Sequence, residues 1–283
     1  MKVLISADME GTAGVVAWEQ VIPPELAVRS QPAPSEYEWA RRLMLAEVNA
    51  AIRGARAAGA TEIIVNEAHD GMRNMRPDEL DPDAWLISGS RKPLAMMAGL
   101  DETVEAVIFT GYHARAGTPN GVLAHTWTGW VRDVRFGDVS VGEYGLNAAV
   151  AGHYGVPVVM VAGDEQAVRQ TQELLGEAVV GVIVKYGLGM TSARHLHPVR
   201  ACAAIEEAAR LGVSRAKQIQ PYRPAYPMPV TVTLDNAEAA DLAAGVPGVE
   251  RAGETSVRYL AENGLELYRR WQAVVQAASG ATR

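Results

Sequence analysis

A single cysteine, Cys202, stands in a chain of 283 residues. That shortage excludes an intramolecular disulfide and any zinc site built on thiolates. Cys202 lies in an alanine-rich segment and is expected to be an inert buried thiol. Long apolar runs are missing too. The longest, such as residues 156–162, suit buried strands and fall far short of a bilayer span, so no membrane partner is expected. The N-terminus enters a strand at once and shows no signal-peptide pattern, from which a cytoplasmic protein is expected. There is no excess of basic residues: the net charge is −7 and the pI about 5.5. Lys and Arg are scattered, so the basic face of a nucleic-acid binder is absent. No repeat, no low-complexity tract and no H-E-x-x-H helix motif occurs. The glycines of Glu10-Gly11-Thr12-Ala13-Gly14 lack the lysine and spacing of a phosphate loop.

What is present is ordinary globular composition, 48% hydrophobic and 21% charged. Short β-branched runs alternate with helical patterns. Residues 3–7, 62–66, 84–88, 106–111 and 156–162 read as strands. A long amphipathic helix follows the first of them, with Ser35 and Glu38 as a capping box and Gly59 as its stop. Such strand–helix units predict an α/β fold: a mostly parallel sheet covered by helices on both faces. Residues 122–141 suggest shorter antiparallel strands with a Gly137-Asp138 turn. Further on, a helix over 198–211, a proline-stiffened linker over 221–229 and a strand at 230–234 are expected. A helix, a short strand near Val249 and a closing helix over 257–275 complete the expectation, with Leu260, Tyr268 and Trp271 in the core. The expected division is a catalytic α/β domain over residues 1–190 and a smaller C-terminal α/β subdomain over 191–283.

The chemistry gathers where apolar strands end in polar residues. The first strand runs straight into Asp8-Met9-Glu10, and alternation puts both carboxylates on one side. Two carboxylates so close repel unless a cation intervenes; an acidic rim or helix cap is the bland alternative. Val65-Asn66-Glu67-Ala68-His69 and Gly111-Tyr112-His113 each place one histidine just past a predicted central strand. In parallel sheets ligands bind at that carboxyl edge. Glu143 shares a helix face with Leu146, Asn147 and Val150, which draws it inward, although a favourable place in the helix dipole would also account for it. Asp8, Glu10, His69, His113 and Glu143 are five donors, too many for one open site and suited to two ions with a bridging carboxylate. Imidazole with carboxylate favours zinc, with manganese or cobalt possible, and paired ions serve hydrolysis.

Asp8-Met9-Glu10-Gly11, Val65-Asn66-Glu67-Ala68-His69, Leu86-Ile87-Ser88-Gly89, Gly111-Tyr112-His113-Ala114-Arg115, Val141-Gly142-Glu143-Tyr144-Gly145-Leu146-Asn147 and the Val158–Asp164 block resemble the D-aminopeptidase DppA family of dinuclear zinc peptidases, family M55. The resemblance runs to about residue 195 in matching order and weakens beyond. It implies that Asp8 bridges two zinc ions, Glu10 and His69 complete one site, and His113 and Glu143 complete the other. It implies a catalytic role for His125, which read alone is a lone strand histidine with a core residue as default. It also implies a zinc aminopeptidase that uses a bridging hydroxide on short, D-residue-containing peptides, and a ring-like homo-oligomer, a decamer. Another two-metal amidase or phosphoesterase, or a metal-stabilised peptide-binding protein without catalysis, are the alternatives. Asn66 and Asn147 are candidates to orient ligands or peptide. Asp164 is an N-cap or a partner of a metal-bound imidazole, and Arg115 holds a substrate carboxylate or braces its loop. His153 reads as a C-terminal cation of its helix, and His195 and His197 have ligand-like spacing without acidic company. Residues 15–34, with Trp18, Pro23, Pro24, Pro32 and Pro34, form a loop long enough to be functional.

Overall fold

The computed structural model describes residues 1–24 and 33–281. Pro32 of the expected loop lies outside them. In chain order the first elements are β1 (Lys2–Ala7), α1 (Trp18–Val21), α2 (Pro34–Ala57), β2 (Glu62–Glu67), β3 (Trp85–Ile87) and β4 (Ala106–Tyr112). Then come β5 (Val131–Phe136), β6 (Val139–Ser140), α3 (Glu143–His153), β7 (Val158–Asp164), α4 (Glu165–Leu175), β8 (Val180–Gly189) and β9 (Ser192–His195). The chain closes with α5 (Pro198–Ser214), β10 (Met228–Leu234), α6 (Ala237–Ala244), β11 (Val249–Arg251), β12 (Ser256–Ala261) and α7 (Gly264–Ala278).

Seven strands form the main sheet in the order β3-β2-β1-β4-β7-β8-β9. All neighbours are parallel except the β8–β9 hairpin. Every residue of β4 and β7 is buried, as expected of strands covered on both faces. Helices α2 and α5 pack together on one face, while α4 contacts β7 and β8 from the other. The strand order reverses between β1 and β4, so the crevice of this topology opens at their carboxyl ends. There the chains after β1 and β4 nearly touch. A Cβ on Gly11 would stand 1.9 Å from the Tyr112 carbonyl, and one on Gly111 2.1 Å from that of Asp8. Gly111 also has φ of +67°, a region glycine enters without penalty.

The second sheet is antiparallel, β11-β12-β10-β5-β6. It does not divide at residue 190: β5 and β6 belong to it, whereas β9 and α5 belong to the main sheet. Strand pairing across almost a hundred residues of sequence decides this, and no local pattern reveals it. α7 leans on α3 and buries Tyr268 and Trp271 completely. Both rings meet Trp127 edge-on, at 6.3 and 5.9 Å. Truncating a buried ring of this kind costs about 3–5 kcal/mol, so the loop carrying Trp127 is anchored on α7.

Four local expectations differ. α2 starts at Pro34 with Ala33 before it, so Ser35 and Glu38 form no capping box; proline supplies the start, and Glu38 pairs with Arg41 instead. Residues 256–261 are strand, because Val257, Tyr259 and Ala261 alternate inward while Arg258 and Leu260 face out. Leu260 is therefore exposed. β8 and β9 have no counterpart among the expected elements. Cys202 is only half-buried, on α5.

Candidate metal centre

Asp8 and Glu10 leave the end of β1, His69 follows β2, and His113 follows β4. Glu143 opens α3, with its carboxylate turned inward and buried. His125 comes not from a strand but from the irregular stretch before β5, where Leu123 and Trp127 take left-handed backbone angles of +49° and +67°. Five elements or loops far apart in sequence thus meet at the crevice. Their donor atoms fall into two groups, Asp8 with Glu10 and His69, and His113 with His125 and Glu143. Within each group the atoms lie within 4.8 Å of one another.

Asp8 joins the two. Its Oδ1 is 3.4 Å from His69 Nδ1 and its Oδ2 3.5 Å from His113 Nε2. Glu10 Oε2 is 3.0 Å from His69 Nδ1, and Glu143 Oε1 is 3.4 Å from His113 Nε2. His125 Nε2 stands 3.9 Å from both Glu10 Oε1 and Glu143 Oε1. Its ring stacks on that of His113 at 4.0 Å. Of these side chains His125 alone keeps an appreciable exposure, 14% against 1–6%, and so faces the opening.

Each imidazole has one nitrogen on a backbone carbonyl. His69 Nε2 is 2.6 Å from the Val21 oxygen, His113 Nδ1 3.0 Å from that of Ala114, and His125 Nδ1 2.9 Å from that of Leu123. A carbonyl only accepts, so these nitrogens carry the protons. The opposite nitrogens then aim lone pairs at buried carboxylates, an arrangement that requires a proton or a cation between them. Asp8 Oδ2, Glu10 Oε2 and His113 Nε2 are buried without a hydrogen bond. Distances of 3.0–3.5 Å lacking hydrogen-bond alignment are what donors converging on a common ion would show. The donor set therefore fits one or two divalent cations of the zinc type.

The electrostatics agree in direction. Burial, then the charge of Glu10, pushes the Asp8 carboxyl up to about 7. Burial opposes charge on Glu10, but the imidazoles, His69 foremost, outweigh it and hold Glu10 well below the usual range. Against the same burial, Glu10 and Asp8 hold His69 protonated, and Glu143 and Asp8 raise His113 to about 10. Burial and the neighbouring His113 push His125 down instead. Without a cation the site collects protons on two imidazoles, which metal binding would have to release.

The chain is similar to proteins of known activity. The sequence model of peptidase family M55, described as D-aminopeptidase, matches residues 1–273. This chain belongs to the D-aminopeptidase family. The family member from Bacillus subtilis (strain 168), a D-aminopeptidase, is 36% identical over 279 residues, 98% of each chain. The solved structure of the Zn-dependent D-aminopeptidase DppA from Bacillus subtilis, described as a self-compartmentalizing protease, superposes with a TM-score of 0.88. It covers 99% of this chain and 98% of its own.

Several family-site neighbours were not foreseen in sequence. α1 touches two histidines within one turn: the Val21 carbonyl binds His69, and the Trp18 indole meets His125 edge-on at 5.4 Å. Gln20 Oε1 accepts the amides of Val16 and Ala17 and so shapes this turn. The Trp127 amide donates to Glu143 Oε1 at 2.6 Å. All of these contacts but that of Trp18 use backbone atoms, to which residue identity gives no clue. The other expected neighbours serve the scaffold. Asn66 bonds Ala95 and Lys92, Asn147 donates to the Tyr112 hydroxyl, and Arg115 to its own loop at Ala116. Asp164 caps α4 and also accepts the amide of Ala114, beside His113. His197 caps α5, His195 accepts the Gly14 amide 3.0 Å away, and His153 ends α3.

Proposed function

We propose that this chain is a zinc-dependent aminopeptidase that removes the N-terminal residue from short peptides, with D-residues preferred. The observation that carries the proposal is the set of three imidazoles, each fixed by a carbonyl and turned with its free nitrogen toward buried carboxylates. Family membership and the Zn-dependent relative support it. Asp8 would hold two ions together, Glu10 and His69 completing one site and His113 and Glu143 the other. Bound there, zinc would polarise the scissile carbonyl and make a water nucleophile available at neutral pH.

The chain's own groups would do the rest. His125 is oriented by the Leu123 carbonyl and the Trp18 edge, and its Nε2 faces the reacting centre. Its depressed pKa leaves that nitrogen neutral, able to take a proton and hand it to the departing amine. Glu10 and Glu143 flank it at 3.9 Å, and together with Asp8 they would offset most of the positive charge of the bound ions.

The same proposal includes a closed, ring-like homo-oligomer, a decamer, whose lumen admits short peptides only. The relative described as self-compartmentalizing supports it, as do the exposed apolar side chains Tyr186, Leu188 and Met190 around the β8–β9 hairpin. A cytoplasmic enzyme is proposed too, supported by the lone thiol. Among the described residues no helix is long and apolar enough to cross a membrane. The test is zinc content by elemental analysis together with turnover of D- and L-aminoacyl amides and an aryl phosphate. About two zinc per chain and faster release from D-aminoacyl amides are expected. Turnover of the phosphate ester alone, or tight peptide retention without products, would refute the proposal.

A further inference from the structure

We propose that Lys185 is a positioning residue of the metal centre: from β8 its buried ammonium clamps the loop after β1 and fixes where the Glu10 carboxylate lies. The inference rests on the metal-centre reading above. Lys185 is fully buried, and all three of its N–H groups are used within one short segment. They donate to the carbonyls of Glu10 at 2.5 Å, Thr12 at 2.9 Å and Val15 at 2.7 Å. Three carbonyls converging on one point concentrate negative potential that no single neutral donor could satisfy. An ammonium offers three donors in compact form and accepts nothing.

The segment has no sheet ladder of its own. Its amides go elsewhere: Gly11 to Gly111 at 2.8 Å, Ala13 to Glu47 Oε1 at 2.9 Å, and Gly14 to His195 Nδ1 at 3.0 Å. Side chains from α2, β8 and β9 thus hold residues 10–15 in place of a neighbouring strand. This gives His195 a role other than the metal binding its spacing suggested. Burying a cation is costly, and here the carboxylates of Asp164 and Glu47 face it and offset that cost.

The consequence for the site is one-sided. Glu10 is tied at both ends, its carbonyl to Lys185 and its carboxylate facing His69, so its backbone angles and reach are set together. Asp8 is held separately by the sheet, its amide donating to Thr110 at 2.9 Å. His113 follows β4 and Glu143 opens α3; Lys185 donates to neither segment, and Asp164, which faces it from β7, holds the Ala114 amide with its own carboxylate. Loss of the ammonium should therefore weaken the Glu10–His69 site and spare the His113–Glu143 site. A lysine that merely stabilised the fold would weaken both or neither.

Lys185→Met keeps the aliphatic stem and removes the clamp. The double variant Lys185→Met/Glu47→Gln also neutralises Glu47, whereas Asp164 keeps the amides of Ala114, Gln166 and Ala167 as donors, which guards against a folding defect. Zinc is titrated into the metal-free wild type and both variants against a competing chelator, with circular dichroism and thermal melts alongside. The expected result is two zinc ions in the wild type. Each folded variant should bind one ion as tightly as the wild type and the second about 10- to 100-fold more weakly, the usual cost of losing an outer-shell partner. Wild-type affinity for both ions in a variant would overturn the inference. So would equal weakening of both, or failure of the metal-free double variant to fold, since Lys185 would then serve the fold alone. A wild type that took up no zinc would instead overturn the metal-centre reading itself.

Discussion

Replacing Asp8 by asparagine perturbs the one residue that faces both donor groups, Oδ1 toward His69 and Oδ2 toward His113. The substitution is nearly isosteric, and its amide oxygen can still accept the Met9 amide that Asp8 Oδ1 accepts at 2.9 Å. Local structure should survive while a charged ligand is lost. A four-ligand zinc site is worth about 10–16 kcal/mol, or about 2.5–4 kcal/mol per ligand. That is about 10² to 10³ in affinity, and it applies to both ions because one carboxylate serves both. Glu143→Gln, which touches one group, should weaken one ion only. The metal-free protein gives a second sign. There Asp8 is buried and repelled by Glu10 and Glu143, so removing its charge should leave the melting temperature of the metal-free chain unchanged or raised. The zinc-loaded wild type, in contrast, should melt above the variant, because ligand binding to the native state alone adds stability. Chelator competition and paired melts with and without zinc measure both. Retention of two tightly bound ions by Asp8→Asn, or a metal-free variant melting well below the metal-free wild type, would refute the bridging assignment.

His125→Phe preserves a flat ring between His113 and Trp18; zinc should stay at about two per chain while kcat falls about 10²- to 10⁴-fold. Loss of one ion would show His125 to be a ligand of the second group instead. Glu47 provides a pH test. Burial pushes its carboxyl from 4.5 up to about 7, against the Ala13 amide and Lys185, which pull it down. An acid raised in the folded state favours folding most below pH 4.5, and that contribution is lost as pH rises through about 7. The shift corresponds to about 3 kcal/mol. Urea unfolding of metal-free wild type and Glu47→Gln should show the wild type losing about that much relative to the variant between pH 4.5 and 8; a difference independent of pH would refute it.

Much of the scaffold was legible because its signals are local. Runs such as residues 106–111 are too apolar to be anything but buried strand, and their abrupt polar endings marked the edge where function collects. Asp8, Glu10, His69 and His113 stood out for that reason. Glu143 stood out because its helical spacing put a carboxylate on an apolar face. Lys185 gives no such sign: it lies on β8, a strand with no counterpart among the expected elements. His125 lies outside the strand expected for it, since the left-handed turns at Leu123 and Trp127 leave no mark in side-chain periodicity. Val257 to Ala261 was joined to the closing helix although its alternation is that of a strand, a period too short to separate from the helix that follows.

By itself, then, the sequence determined the alternation of strands and helices, the parallel main sheet and the polar residues delivered to its carboxyl edge, because apolar periodicity and chain connectivity dictate these directly. Tertiary structure alone decided the rest. It set the order in which strands pair, the joining of β5 and β6 to a sheet completed almost a hundred residues later, and the carbonyls that orient each imidazole. It also turned Lys185 inward beneath Glu10. These depend on which distant segments are brought within about 3 Å of one another, and a contact of that range is a property of the packed chain rather than of any stretch of it.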